Sequence, residues 1–174
     1  MGSRSALTWL IAVALVAGLG DRLDVLGRLG VGAPAAGAGA GSVVRVQRVV
    51  DGDTIKVMTA QGLDTVRYIG MDTPETKKPG TPIQCYGKRA SHENERLVAG
   101  QRVRLVVGAE PRDRYGRLLA YVYRERDGTF VNERLLAGGF ARTLTIAPNN
   151  RYASRFASVQ ARAQSSRTGL WGSC

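Results

Sequence analysis

The sequence predicts an α+β fold built on a five-stranded Greek-key barrel with about three short helices. Five segments show the residue alternation of strands, and short helical patterns interrupt them at irregular intervals, which does not suit a parallel α/β sheet. Apolar residues make up 44% of the 174 positions, enough to form a core. This length fits one domain and a tail.

The first three strand patterns are separated by glycine turns. Residues Val43–Val50 alternate apolar with polar side chains, and Thr54–Met58 resumes the pattern after a turn at Asp51-Gly52. A second turn, at Gln61-Gly62, leads into a strand over Thr65–Met71. We therefore expect a β-hairpin centred on Gln61-Gly62.

The second half of the chain mixes helical and strand patterns. Helical composition closed by glycine indicates two short helices, and apolar spacing of three to four residues indicates a last one. In chain order we expect a helix over Gly87–Val98, strands over Val103–Val107 and Leu118–Tyr123, a helix over Phe130–Ala137, and a final helix whose apolar face carries Tyr152, Phe156, Val159 and Ala163.

Residues 1–42 differ in kind from the rest of the chain. Ala6–Leu19 is an apolar run of 14 residues after Arg4, which suits a signal peptide and falls short of the roughly 20 residues that span a bilayer. Gly18-Leu19-Gly20 is a weak cleavage site, so an uncleaved membrane anchor at residues 6–19 stays open. Gly32–Ser42 has the composition of a flexible linker. We expect a folded domain over 43–174 and a secreted or envelope location.

The charge of the chain favours a polyanionic partner. Its formal net charge is +11, and residues 43–174 alone carry 22 basic and 12 acidic side chains. The single histidine, His92, leaves little for histidine-based hydrolysis, and two cysteines are too few for an ordinary zinc site. Nucleic acid is one such partner, and an anionic membrane surface is another.

The two cysteines, Cys85 and Cys174, are expected to form a disulfide if the domain is exported. Such a bond closes a loop of roughly 90 residues and contributes on the order of 4 kcal/mol in the chain-entropy account. The alternative, Cys85 as a nucleophile, lacks a base other than His92.

Two aspartates should meet at the open end of the first hairpin. With the turn at Gln61-Gly62, Asp53 is placed roughly opposite Gly70, and Asp72 opposite Asp51. Clustered carboxylates of this kind suit Ca²⁺ or Mg²⁺, with backbone carbonyls and water completing the shell. Arg67, in an otherwise apolar strand, needs a partner or a wet surface, and Glu75 follows near the same end.

Several blocks of sequence together resemble the staphylococcal nuclease (thermonuclease) family. The blocks keep the family's order and spacing and cover about residues 43–172: Val50-Asp51-Gly52-Asp53-Thr54, Arg67 with Asp72-Thr73-Pro74-Glu75-Thr76, Asp113-Arg114-Tyr115-Gly116-Arg117-Leu118-Leu119-Ala120-Tyr121, Val131-Asn132-Glu133 and Pro148-Asn149-Asn150. The resemblance implies an OB-fold barrel and a Ca²⁺-dependent nuclease that cleaves DNA and RNA and leaves 3′-phosphate ends.

The resemblance also implies a role for each matching residue. The implied calcium ligands are the carboxylates of Asp53 and Asp72 and the backbone carbonyl of Thr73. The implied catalytic residues are Arg67 and Arg117, which hold the scissile phosphate, and Glu75, which activates or orients the attacking water. The residues implied to contact the nucleotide's terminal phosphate are Arg114 and Tyr115.

The sequence departs from the family where the staphylococcal enzyme has tyrosines before Pro148. Leu144 and Ile146 stand in this tract and cannot stack on a base, a contact worth about 1–3 kcal/mol, so we expect weaker nucleotide binding. Two other functions remain open: an inactive OB-fold module that only binds nucleic acid, and a basic domain that docks on anionic lipid. We expect a monomer.

Overall fold

The computed structural model describes residues 41–77 and 80–174. Its seven strands are β1 (Ser42–Val49), β2 (Thr54–Thr59), β3 (Gly62–Tyr68), β4 (Gly70–Asp72), β5 (Arg102–Arg112), β6 (Leu118–Arg124) and β7 (Arg142–Leu144). Its helices are α1 (Gly87–Val98), α2 (Val131–Ala137), α3 (Ala153–Ser165) and the single turn α4 (Leu170–Ser173). The signal peptide or anchor expected at 6–19 and most of the linker lie outside the described residues.

Five strands close into a barrel in the order β1-β2-β3-β6-β5. The pairing of β3 with β6 is parallel, while the other four pairings are antiparallel. A parallel pair within a mainly antiparallel five-stranded barrel is the arrangement of an OB-fold, so the predicted fold class is confirmed. Among the described residues, none of the helices is both long and apolar enough to cross a bilayer.

The register of the first hairpin differs from the expected one by two residues. Thr59 pairs with Gly62, so the tight turn lies at Ala60-Gln61, and Gly62 adopts a φ of 110° that a side chain would disfavour. Asp53 consequently faces Tyr68, whose N–H donates to the Asp53 carbonyl at 2.9 Å. The prediction placed the turn one residue too late because Gln61-Gly62 is the stronger turn signal in the sequence.

The strand predicted over Thr65–Met71 is divided in two. Gly70 has a φ of 82°, and a Cβ there would lie 2.5 Å from the Phe156 ring, so the chain turns away from the barrel at this point. Strand β4 then pairs with β7, which the sequence analysis did not predict, and Asp72 faces Arg142. The predicted pairing of Asp72 with Asp51 is therefore wrong.

The helices pack around one continuous core. The predicted helix Gly87–Val98 has the observed bounds of α1, while α2 begins one residue later than predicted, at Val131. Phe156, Val159 and Ala163 are buried on α3 as expected, and Tyr152, just before that helix, packs partly buried against the core. The strand expected at Val103–Val107 continues to Arg112 as part of β5.

Buried amides join the loops near the barrel end that carries Asp53. The side-chain N–H of Asn94 donates to the Asp51 carbonyl, and its Oδ1 accepts from the Tyr68 hydroxyl at 2.9 Å. Asn132 likewise joins Val122 to Ile69. These bonds satisfy buried polar groups and hold the connections at the end of the barrel in place.

Cys85 and Cys174 form a disulfide, as expected. The bond links the segment before α1 to the end of α4, across 89 residues of sequence. Next to it, Arg142 of β7 stacks over Trp171 with the guanidinium carbon 4.6 Å from the ring centroid. The last residues of the chain are thereby attached to the loop after β4 and to its partner strand.

Candidate active site

Seven polar or charged side chains meet in a small cavity at one end of the barrel. They come from the start of β2, the end of β3, β4 with the loop that follows, and the residue before β6. The cavity has a volume of about 200 Å³ and is lined by Asp51, Asp53, Arg67, Asp72, Thr73, Pro74, Glu75 and Arg117. All six residues assigned above to metal binding or catalysis are thus brought together.

Asp53 is the buried carboxylate of this cavity, with 2% of its surface exposed. Its Oδ2 accepts from the N–H and hydroxyl of Thr73 at 2.8 and 2.9 Å, and its Oδ1 accepts from the Thr54 hydroxyl. Gly52 permits this approach, because a Cβ there would lie 2.7 Å from Thr73. The carboxylate is therefore fixed in position before any ligand arrives.

Arg67 connects the two aspartates assigned to the metal. Its guanidinium pairs with Asp53 and, through Nη2, with Asp72 Oδ1 at 2.6 Å. The Arg67 and Asp53 side chains are 15% and 3% exposed, whereas the Asp72 side chain is 55% exposed. The cavity therefore has a buried acidic wall and an acidic rim, with one guanidinium between them.

Asp51 adds a third carboxylate to the cavity wall. Its Oδ1 accepts from the Asp53 N–H at 3.1 Å, the short-range bond of an Asx turn. Burial raises the pKa of Asp51 above its usual range, although Thr54 and Arg67 oppose the rise. The sequence analysis treated this residue as part of a turn, and the Asp-Gly-Asp spacing is the signal that could have assigned it to the site.

Glu75 is held by its own loop and by a residue that the sequence analysis missed. Its Oε1 accepts from the N–H groups of Thr76 and Lys77 at 2.8 and 2.7 Å. Its backbone makes two bonds to Gln84, with Glu75 N–H donating to Oε1 and Gln84 N–H donating to the Glu75 carbonyl, both at 2.9 Å. Gln84 precedes disulfide-bonded Cys85, but nothing in the local sequence pattern predicts this contact.

Arg117 is oriented by the turn in which it lies. Asp113 accepts from the backbone N–H of Arg117 at 3.0 Å and from Nε at 2.7 Å, and it also pairs with Nη2. Although burial opposes it, hydrogen bonding from Arg117 and Tyr115 lowers the pKa of Asp113. The sequence analysis considered Asp113 only as part of the charged turn, yet its spacing of four from Arg117 is the signal for this contact.

A second, larger groove of about 510 Å³ opens beside the polar cavity and shares Arg67 and Arg117 with it. Arg114 and Tyr115 line this groove, with the Arg114 Nη2 donating to the Tyr115 hydroxyl at 2.7 Å. Leu144 and Ile146 line it too, and both are exposed. The residues assigned to nucleotide contact thus lie next to the phosphate-type site and not inside it.

The donor set fits a hard divalent cation. Asp53 and Asp72 bring two carboxylates to a single guanidinium, and the Thr73 backbone lies between them in the chain. Such oxygens suit Ca²⁺ when water completes the shell. Among residues 41–77 and 80–174, no cluster of three or more His, Cys, Asp or Glu side chains forms a ready-made metal site. The protein would supply two carboxylates and leave positions for water and substrate.

Fold and site together define an OB-fold protein whose barrel end carries paired carboxylates, two arginines and a glutamate beside a nucleotide-sized groove. Acidic metal ligands with guanidinium groups are the usual means of neutralising a phosphodiester. The family model described as "Staphylococcal nuclease homologue" matches residues 65–173. The chain belongs to the staphylococcal nuclease family.

Curated relatives agree with this assignment. The chain is 43% identical over 127 residues to a thermonuclease of Staphylococcus hyicus, covering 73% of this chain and 74% of that protein. It is 45% identical over 130 residues to two Bacillus subtilis (strain 168) proteins, endonuclease YncB and the SPbeta prophage-derived endonuclease YokF. The match covers 74% of this chain in both, but only 61% of YncB and 43% of YokF.

Proposed function

We propose that this protein is a Ca²⁺-dependent nuclease that hydrolyses phosphodiester bonds of DNA and RNA and leaves 3′-phosphate ends. One observation carries the proposal: Asp53, Asp72, Glu75, Arg67 and Arg117 all line one cavity of about 200 Å³. An inactive nucleic-acid-binding module has no need for this combination. Relatives named thermonuclease and endonuclease support the same reaction class.

The two arginines bind the scissile phosphate. Guanidinium groups match phosphate oxygens in pairs, and they neutralise charge that grows as the phosphorus becomes five-coordinate. Arg117 reaches this position with its Nε and Nη2 already held by Asp113. Part of its orientation is therefore set before substrate binds, which reduces the entropy lost on binding.

Glu75 acts on the attacking water. A carboxylate within hydrogen-bond reach can accept a proton from water, which explains how a chain with one histidine can catalyse hydrolysis. The two bonds to Gln84 fix the Glu75 backbone. Proton abstraction is the working hypothesis, and Glu75→Gln tests it: near-full turnover by the variant would leave only an orienting role.

Asp53, Asp72 and the Thr73 carbonyl would hold the calcium ion. When bound, Ca²⁺ supplies positive charge to the phosphate oxygens. Occupation of the two carboxylates by a cation would release Arg67 from both of its ion pairs. Its N–H donors would then be available to the phosphate, so the same guanidinium serves the empty site and the substrate complex.

Arg114 and Tyr115 contact the terminal phosphate of the nucleotide in the adjacent groove. Tyr115 is 67% exposed and lies under the guanidinium groups of Arg114 and Arg117, with carbon-to-centroid distances of 4.8 and 5.4 Å. Leu144 and Ile146 give the same groove an aliphatic wall. A mononucleotide should therefore bind more weakly here than to the staphylococcal enzyme, while the chemistry is retained.

A cleavage assay tests the proposal directly. The full chain is incubated with single-stranded DNA or with RNA, with Ca²⁺ or with EGTA, and the new ends are labelled. We expect Ca²⁺-dependent cutting with 3′-phosphate products, and loss of cutting in Asp72→Asn. Cutting that ignores chelation, 5′-phosphate products, or binding without cutting would each contradict the mechanism.

We further propose that the protein acts as a monomer in the secreted fraction or at the cell envelope. The apolar run at 6–19, the linker that follows and the Cys85–Cys174 disulfide support export. Fractionation with an antibody to the domain separates the two locations. Recovery in the cytoplasmic fraction would refute both.

A further inference from the structure

An outer face of the barrel carries basic residues that the proposed site does not use. On β2, Ile55 and Val57 point into the core and are fully buried, so Thr54, Lys56 and Met58 point outward. Directly paired residues of antiparallel strands lie on the same face of the sheet. Their partners on the neighbouring strands therefore share this outer face.

The register places four cations on that face in two cross-strand pairs. Lys56 of β2 pairs with Arg48 of β1, and Arg45 of β1 pairs with Arg102 of β5. We call these four residues the basic stripe. Like charges directly opposite each other destabilise a sheet, so a stripe of this kind needs a counter-charge.

The protein itself does not provide that counter-charge in the part of the chain described. Seven arginines there lie within 4.0 Å of a carboxylate: Arg67, Arg96, Arg112, Arg117, Arg124, Arg126 and Arg155. No side chain of the stripe forms an ion pair or hydrogen bond with a described residue, and the Glu125 carboxylate, beside Arg102, does not pair with it. The cations are left to solvent or to a polyanion.

The stripe is continuous with the catalytic cavity. Arg67 pairs with Thr54, which places it on the same outer face and two residues along the strand from Lys56 and its partner Thr65. With about 3.4 Å per residue and 4.8 Å between strands, the path from Arg67 across the stripe to Arg102 is about 20 Å along the sheet. An extended polyanion bound at Arg67 can follow this path.

We infer that the basic stripe is an extended binding track for the backbone of a single nucleic-acid strand whose scissile phosphate lies at Arg67. The inference rests on the proposed nuclease function and adds where the rest of the substrate lies. A cationic path beside exposed apolar side chains is typical of single-strand binding. Met58 and Leu63, paired across β2 and β3 and 46% and 57% exposed, provide such a surface at its far end.

The test compares substrates that do and do not reach the stripe. Arg45→Gln/Arg102→Gln is assayed on an oligonucleotide of about a dozen nucleotides and on a dinucleotide. We expect KM for the oligonucleotide to rise about tenfold with kcat unchanged, and the salt slope of its binding to fall by about 1.4, the effect of two lost phosphate contacts. KM for the dinucleotide should not change.

The matched control is Arg134→Gln/Arg162→Gln, which removes the same charge from exposed positions of α2 and α3. It should leave both KM values unchanged. Equal effects of the two double variants, or an unchanged oligonucleotide KM in the stripe variant, would overturn the inference. So would loss of binding to phosphatidylglycerol vesicles with oligonucleotide KM retained, which would make the stripe a membrane contact.

Failure of the proposed function is visible separately. If the unmodified protein cuts neither substrate, the nuclease proposal fails, and anisotropy of a labelled oligonucleotide still tests the stripe. A salt slope that is the same in the unmodified protein and the stripe variant refutes the track whether or not the protein cleaves.

Discussion

Removing the Cys85–Cys174 disulfide should strongly reduce the free energy of unfolding. The bond closes a loop of 89 residues, and the chain-entropy relation gives about 4–5 kcal/mol for a loop of this length. Both cysteines are exposed, so serine leaves little empty core volume and the entropy effect should dominate. Since domains of this size have about 5–15 kcal/mol of stability, the loss is a large fraction of the total.

Urea unfolding of Cys85→Ser/Cys174→Ser, followed by fluorescence, measures this loss. The unmodified protein with dithiothreitol is the matched control: it should approach the variant's midpoint, and the variant should not respond to the reductant. A loss below about 1 kcal/mol would refute the reasoning, because restriction of the unfolded chain would then contribute little. An equal response of both proteins to reductant would show that the effect comes from elsewhere.

Three further changes test other contacts. Tyr68→Phe leaves the buried Oδ1 of Asn94 without its donor and should reduce stability by about 1–3 kcal/mol in urea unfolding; an unchanged midpoint would contradict this. Asp64→Asn removes the carboxylate whose pKa is lowered by hydrogen bonding from Arg112. Because that pKa is lowered on folding, the variant should be slightly less stable near neutral pH, and the difference should vanish as pH falls through the lowered value; a difference that persists in acid would refute it. Arg117→Lys should decrease kcat on the order of 100-fold without changing the unfolding midpoint, since an ammonium cannot bind phosphate in the paired geometry of guanidinium.

Elements governed by local pattern were predictable from the sequence. The bounds of α1 follow from helical composition that ends before Gly100, and the pairing of Cys85 with Cys174 follows from having only two cysteines. Strand β7 was not predictable, because three residues carry no clear periodicity and its pairing with β4 depends on tertiary contacts.

The membership of the site was predictable, but its geometry was not. The sequence predicted that Asp53 and Asp72 would meet through one hairpin, whereas Asp72 lies in a separate small sheet. They meet because Arg67 binds both carboxylates and Thr73, next to Asp72, donates to Asp53. The predicted proximity was thus right for the wrong reason.

Sequence alone determined the fold class and the types of side chain available for chemistry, since alternation, turn residues and motif order are local properties. Tertiary structure decided which polar contacts hold those groups. Gln84 supports Glu75 from nine residues away, and the basic stripe exists only because β1 lies between β2 and β5. Such contacts depend on barrel closure and strand register, where a shift of one residue moves a side chain to the opposite face.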